Sequence, residues 1–125
     1  MSAKIYFTLE EANSHVPQLL REIPLIQELT HGLNKFPDVK KAWEKAKFNG
    51  GSNQGTAYLS VALKINKLVD GLEAKGIILK GLTEGLVDFP AVREGREIYL
   101  CWKIPEQKIE FWHDINSGFA GRKPI

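Results

Sequence analysis

One carboxylate in Gly85-Leu86-Val87-Asp88-Phe89-Pro90, one thiol in Tyr99-Leu100-Cys101-Trp102, and an imidazole beside a second carboxylate in Phe111-Trp112-His113-Asp114 precede Gly118-Phe119-Ala120-Gly121-Arg122. No other stretch of the chain crowds reactive and aromatic side chains so closely. A thiol with an imidazole could make a nucleophile and its base, provided the two come within hydrogen-bond reach. An imidazole with carboxylates could hold a metal ion. An arginine following glycines could clamp an anion, with His113 or Asp88 as the acid–base group. The candidate ligand-binding residues are Asp88, Tyr99, Trp112, His113, Asp114 and Arg122.

Strand alternation decides which of these share a surface. Ile98, Leu100, Trp102 and Ile104 alternate with Glu97, Tyr99, Cys101 and Lys103 over residues 96–104; Ile109 and Phe111 alternate with Lys108, Glu110 and Trp112 over residues 108–113. With Pro105-Glu106 as an even-length turn, Trp102 falls opposite Ile109 and Leu100 opposite Phe111, on one apolar face. That register puts Tyr99 beside Trp112 and Cys101 beside Glu110. It puts Ile98 opposite His113 and so separates the thiol from the imidazole. Cys101 is then expected to be a small packed hydrophobe.

The remaining chemical patterns are weak. There is one cysteine, and His15 and His31 lie far from His113 in the chain, with no C-x-x-C or H-x-x-x-H spacing; no metal or other cofactor is expected. Asp114-Ile115-Asn116-Ser117-Gly118 opens like a calcium loop, but Phe119 and Ile125 occupy the slots for its glycine and glutamate. For the Gly118–Arg122 tail the favoured reading has Phe119 plugging the core and Arg122 paired with Asp88 or Asp114. Lys35, Lys40, Lys41, Lys45 and Lys47 surround Trp43, but Asp38 and Glu44 dilute the field. A solvated helix face is expected, not a nucleic-acid surface.

The first half must supply the scaffold. Thr8-Leu9-Glu10-Glu11 is a capping box. Leu9, Ala12, Val16, Leu19, Ile23, Ile26 and Leu33 keep a 3-4 spacing, with Thr30 in the missing step. Pro17 and Pro24 interrupt it, predicting a kinked helix or two helices end to end over about 8–34. A short helix could open at Pro37. Tyr58, Val61, Ile65, Leu68 and Leu72 form a second seam, stopped by Gly76. Residues 49–55, rich in Gly, Ser and Asn, read as a mobile loop. Strands are expected at 76–80, at 86–89 ended by Pro90, and at the two alternating runs.

Composition sets the limits. The chain has 125 residues, 43% hydrophobic and 26% charged, which fits one globular domain with a helical part over about 8–75 and a sheet part over about 76–125. A net charge of +2 gives no pull toward nucleic acid or anionic lipid. The apolar runs are too short to cross a bilayer, the start has no secretory h-region, and the lone cysteine suits a reducing cytoplasm.

Phe7-Thr8-Leu9-Glu10-Glu11-Ala12-Asn13, a kinking proline, and then G-L-V-D-F-P, L-C-W, W-H and G-F-x-G-R over Gly85 to Arg122 resemble a small bacterial family catalogued as a domain of unknown function. The chain departs from that pattern at Lys80-Gly81, where the family usually carries Lys-Asp. The resemblance implies a bacterial cytoplasmic protein and assigns no activity.

These readings together predict an α+β fold: an N-terminal kinked helical hairpin packed on a small, mainly antiparallel sheet of three or four strands. Apolar surface left on the helices predicts a homodimer. The expected function is a non-enzymatic, self-associating interaction module. The alternative is a small-molecule or anion-binding protein, with enzymatic activity open, whose site lies in the C-terminal sheet.

Overall fold

A computed structural model of the chain describes residues 4–34 and 53–125. Helix α1 (Leu9–Ser14) opens on the capping box. The Glu11 N–H donates to Thr8 Oγ1 and the Thr8 N–H to Glu11 Oε1, both at 3.0 Å. His15 breaks the helix and α2 (Val16–Asn34) follows. Pro17 therefore falls in a first turn, where no intrahelical donor is needed. Pro24 lies inside α2.

The third described helix, α3 (Asn53–Ala74), packs against α2. Its end is a Schellman motif around Gly76 (φ 87°): the Gly76 N–H reaches the Glu73 carbonyl and the Ile77 N–H the Leu72 carbonyl. A Cβ at Gly76 would stand 2.7 Å from the Ile5 side chain, so the stop is also a point of close packing. Lys75 Nζ donates to Gln18 Oε1 at 2.7 Å, which ties the end of α3 to the start of α2, so the two helices run antiparallel. Of the expected loop at 49–55, residues 53–55 are helical; residues 49–52, the helix at Pro37 and the basic stretch lie outside the described residues.

Five antiparallel strands form one sheet in chain order: β1 (Ile78–Gly81), β2 (Leu86–Arg93), β3 (Arg96–Lys103), β4 (Phe111–Asp114) and β5 (Lys123–Pro124). The fold is α+β, helices before sheet, with the two-residue β5 as an additional edge. Pro90 does not end β2. Its carbonyl accepts the Phe7 N–H at 2.8 Å on the side away from β3. Its missing N–H therefore lies past the end of β1, where no ladder bond is lost.

One sheet face meets the helices. Val87, Phe89, Leu100 and Trp102 bury against Val16, Leu19, Ile23 and Ile26, the middle of the first helical seam. The alternation in β3 thus places Ile98, Leu100 and Trp102 inside as expected.

The register of the last hairpin is corrected. Tyr99 pairs with His113, Leu100 with Trp112, and Cys101 with Phe111, one residue away from the expected alignment. The connection is not an even-length Pro-Glu turn. Glu106 ties it down: its N–H bonds the Lys103 carbonyl at 2.8 Å, its carboxylate takes the Lys103 N–H at 2.7 Å, and its carbonyl takes Trp102 Nε1–H at 2.7 Å. Ile109 enters the core from this loop, unpaired, with its N–H on Asn13 Oδ1. Pairing resumes at Phe111, so Trp112 turns inward and His113 outward.

Candidate functional site

Three adjacent strands, β2, β3 and β4, each contribute one buried side chain to a polar cluster on the outer face. The β2–β3 turn at Glu94-Gly95 has positive φ at both residues (52° and 75°), the two-residue geometry that suits strand twist. It sets Asp88 opposite Cys101. The β3–β4 register then brings in His113 from β4. The donor atoms of Asp88, Cys101 and His113 lie within 4.8 Å of one another, and all three residues are buried. The expectation that thiol and imidazole point apart is therefore wrong: Cys101 belongs to the cluster.

The hydrogen bonds define the imidazole. His113 Nδ1 lies 2.8 Å from the Asp114 main-chain oxygen, which can only accept, so Nδ1 carries a proton. Nε2 faces Asp88 Oδ1 at 3.0 Å, and those two atoms share one proton between them. Burial pushes the Asp88 carboxyl above the usual carboxylate range, opposed by His113, Lys80 and the Cys101 thiol. Burial also pushes the Cys101 thiol up to about 12, with the negative charge of Asp88 adding to it. Cys101 is thus a protonated, non-nucleophilic thiol in the free protein at neutral pH.

The cluster borders a hollow of about 130 Å³ that Lys80, Tyr99, Gly118 and Phe119 also line. The Tyr99 ring lies 5.5 Å from that of His113, and Lys4 and Lys80 each hold Nζ 5.3 Å from the Tyr99 centroid. Lys4 also pairs with Glu97.

A family model described as "Uncharacterized conserved protein (DUF2203)" matches residues 5–125. The chain belongs to that family. No curated protein and no solved structure matches it. The matched span includes every residue of the cluster.

Of the six candidates named from sequence, Asp88, Tyr99 and His113 meet at this hollow. Trp112 does not: it is a core residue, with Arg93 and Lys123 over its ring at 4.8 and 4.9 Å. Asp114 pairs with Arg96 at 3.2 Å and Lys123 at 3.5 Å. Arg122 neither clamps the hollow nor pairs with Asp88 or Asp114. Its Nη2 binds both Glu106 carboxylate oxygens, at 2.7 and 3.0 Å, and the Cys101 carbonyl at 3.2 Å. Phe119, expected in the core, is 43% exposed and covers the outer face beneath the Arg122 guanidinium. Sequence reasoning passed over Cys101 and Lys80. The Glu94-Gly95 turn could have exposed Cys101, since counting back from it sets Asp88 against the thiol.

Proposed function

We propose that this protein binds a small ligand at the outer-face hollow, with Asp88, Cys101 and His113 at its polar side and Tyr99 and Lys80 beside them. The observation that carries the reading is the convergence of three buried polar side chains from three strands on one cavity. Burying such groups costs free energy that apolar residues would avoid, as they do across the same strands on the inner face. Convergent polar groups at a concave site are how small ligands are recognised. The cavity volume limits the ligand to a few heavy atoms, and Lys80 favours an anion. With its single free thiol buried, the protein suits the reducing cytoplasm of a bacterium.

Thermal unfolding in acetate, phosphate and sulfate tests this. Saturation at about 100 times Kd adds about 2.7 kcal/mol of stability, a readily measured rise in melting temperature. Lys80→Ala should remove the rise, and Arg122→Ala should leave it, because Arg122 is held by Glu106. No rise with any anion would refute an anion ligand.

A second reading, self-association through the helices, is favoured by Leu59 and Leu63. They stand four residues apart on α3 and are 37% and 57% exposed. Light scattering at micromolar concentration decides it: a dimer that Leu63→Glu dissociates supports it, and a monomer excludes it.

A further inference from the structure

We infer that Asp88, Cys101 and His113 form a three-ligand site for a borderline-soft divalent metal ion, with zinc the ion that the donor set favours. The inference rests on the outer-face hollow being a ligand site and names what is held there. One sulfur, one imidazole nitrogen and one carboxylate oxygen are zinc donors; calcium and magnesium take oxygen ligands instead. Tetrahedral zinc at its usual bond lengths sets such donors roughly 3.4–3.6 Å apart. The three atoms here lie within 4.8 Å of one another, and the Nε2–Oδ1 separation of 3.0 Å needs to open by only about half an ångström.

Two further observations point the same way. His113 Nδ1 is tied to the Asp114 carbonyl at 2.8 Å, which turns Nε2 toward Asp88 and Cys101. This outer hydrogen bond is what metal-ligating histidines almost always make. The three ligands also stand on neighbouring strands of one sheet, so main-chain pairing holds them in place without a loop having to close. A thiolate, a carboxylate and a neutral imidazole carry two negative charges, which a dication cancels. The buried complex has no net charge. All three residues line the hollow, so a fourth coordination position opens onto it, as in zinc sites that take up water or an exogenous ligand. Lys80 and Tyr99 stand beside that position, and a small anion entering the hollow would bind the metal directly.

The test uses the full chain, stripped with a chelator and titrated with cobalt(II) and with zinc(II). The expected result is one cobalt per chain, with a thiolate-to-cobalt charge-transfer band in the near ultraviolet and strong tetrahedral visible bands. Zinc should displace the cobalt and abolish both. Cys101→Ser should remove the charge-transfer band, and Asp88→Asn and His113→Asn should each weaken zinc binding by at least tenfold. Absence of the band from the wild-type chain overturns the inference even if a variant fails to fold; so does a band that survives in Cys101→Ser. Parallel titrations with acetate and phosphate separate the two readings. Anion binding without metal binding sinks the metal site and leaves the pocket; binding of neither sinks both.

Discussion

The two faces of the sheet are made by the same strands and follow different rules. On the inner face Val87, Phe89, Leu100, Trp102 and Trp112 meet the helices, and shape and volume dominate there, with the Trp102 indole N–H bonded to the Glu106 carbonyl. On the outer face Asp88, Cys101 and His113 are as well buried, at 3%, 1% and 2% exposure, yet each needs a specific partner. Alternation lets one strand serve both, since successive side chains point to opposite sides. The comparison separates two kinds of burial: packing that stabilises through area, and polar burial that is tolerated only while the network is complete.

The largest effect should come from the inner face. Trp102→Ala removes a fully buried ring and its hydrogen bond to Glu106, and should cost about 3–5 kcal/mol in denaturant unfolding. A cost below about 1 kcal/mol would mean that this face is not the packed core. Asp88→Ala should follow, at about 1–3 kcal/mol, because it strands His113 Nε2. Its signature is non-additivity: in Asp88→Ala/His113→Ala the combined cost should fall short of the sum by about 0.5–3 kcal/mol. An inner-face pair out of contact should simply add.

A pH measurement sharpens the contrast. The Cys101 thiol is raised from 9.0 to about 12 in the folded chain, so the folded state holds its proton where the unfolded state has lost it. The stability this gives is complete below pH 9 and is lost as pH rises toward 12. With chelator present, wild type should lose stability relative to Cys101→Ala across that window, by at most roughly 1.4 kcal/mol per pH unit. Parallel pH curves would show the thiol to be solvated. The smallest effect is expected at the rim of the hollow: Phe119→Ala should change stability by under about 1 kcal/mol while altering ligand affinity.

Much of the scaffold was legible in the residues. Thr8 and Glu11 announce the first helix and close on each other; Ala12, Val16, Leu19, Ile23 and Ile26 are spaced for one face and occupy it; Gly76 stops α3 because it alone takes that backbone angle without strain. The site was half legible. Asp88, Tyr99 and His113 were singled out, but a phase error turned His113 toward the core and so set the Cys101 thiol apart from its imidazole. Ile109 and Phe111 look like consecutive inward positions of one strand. In fact Ile109 is buried from a loop that Glu106 and Asn13 hold, and pairing starts two residues later. Periodicity cannot see where a strand begins when a loop residue is as apolar as a strand residue. The partner of Arg122 was illegible for a related reason: Glu106 reaches it only because the loop folds back.

Cross-strand nuclear Overhauser contacts in the last hairpin test the convergence of the three residues most directly. Main-chain contacts joining Tyr99 to His113 and Cys101 to Phe111, with the His113 ring close to the Cys101 β-protons, are the predicted result. Contacts joining Ile98 to His113 and Cys101 to Glu110 would contradict it, since they would turn the imidazole into the core and dissolve the cluster.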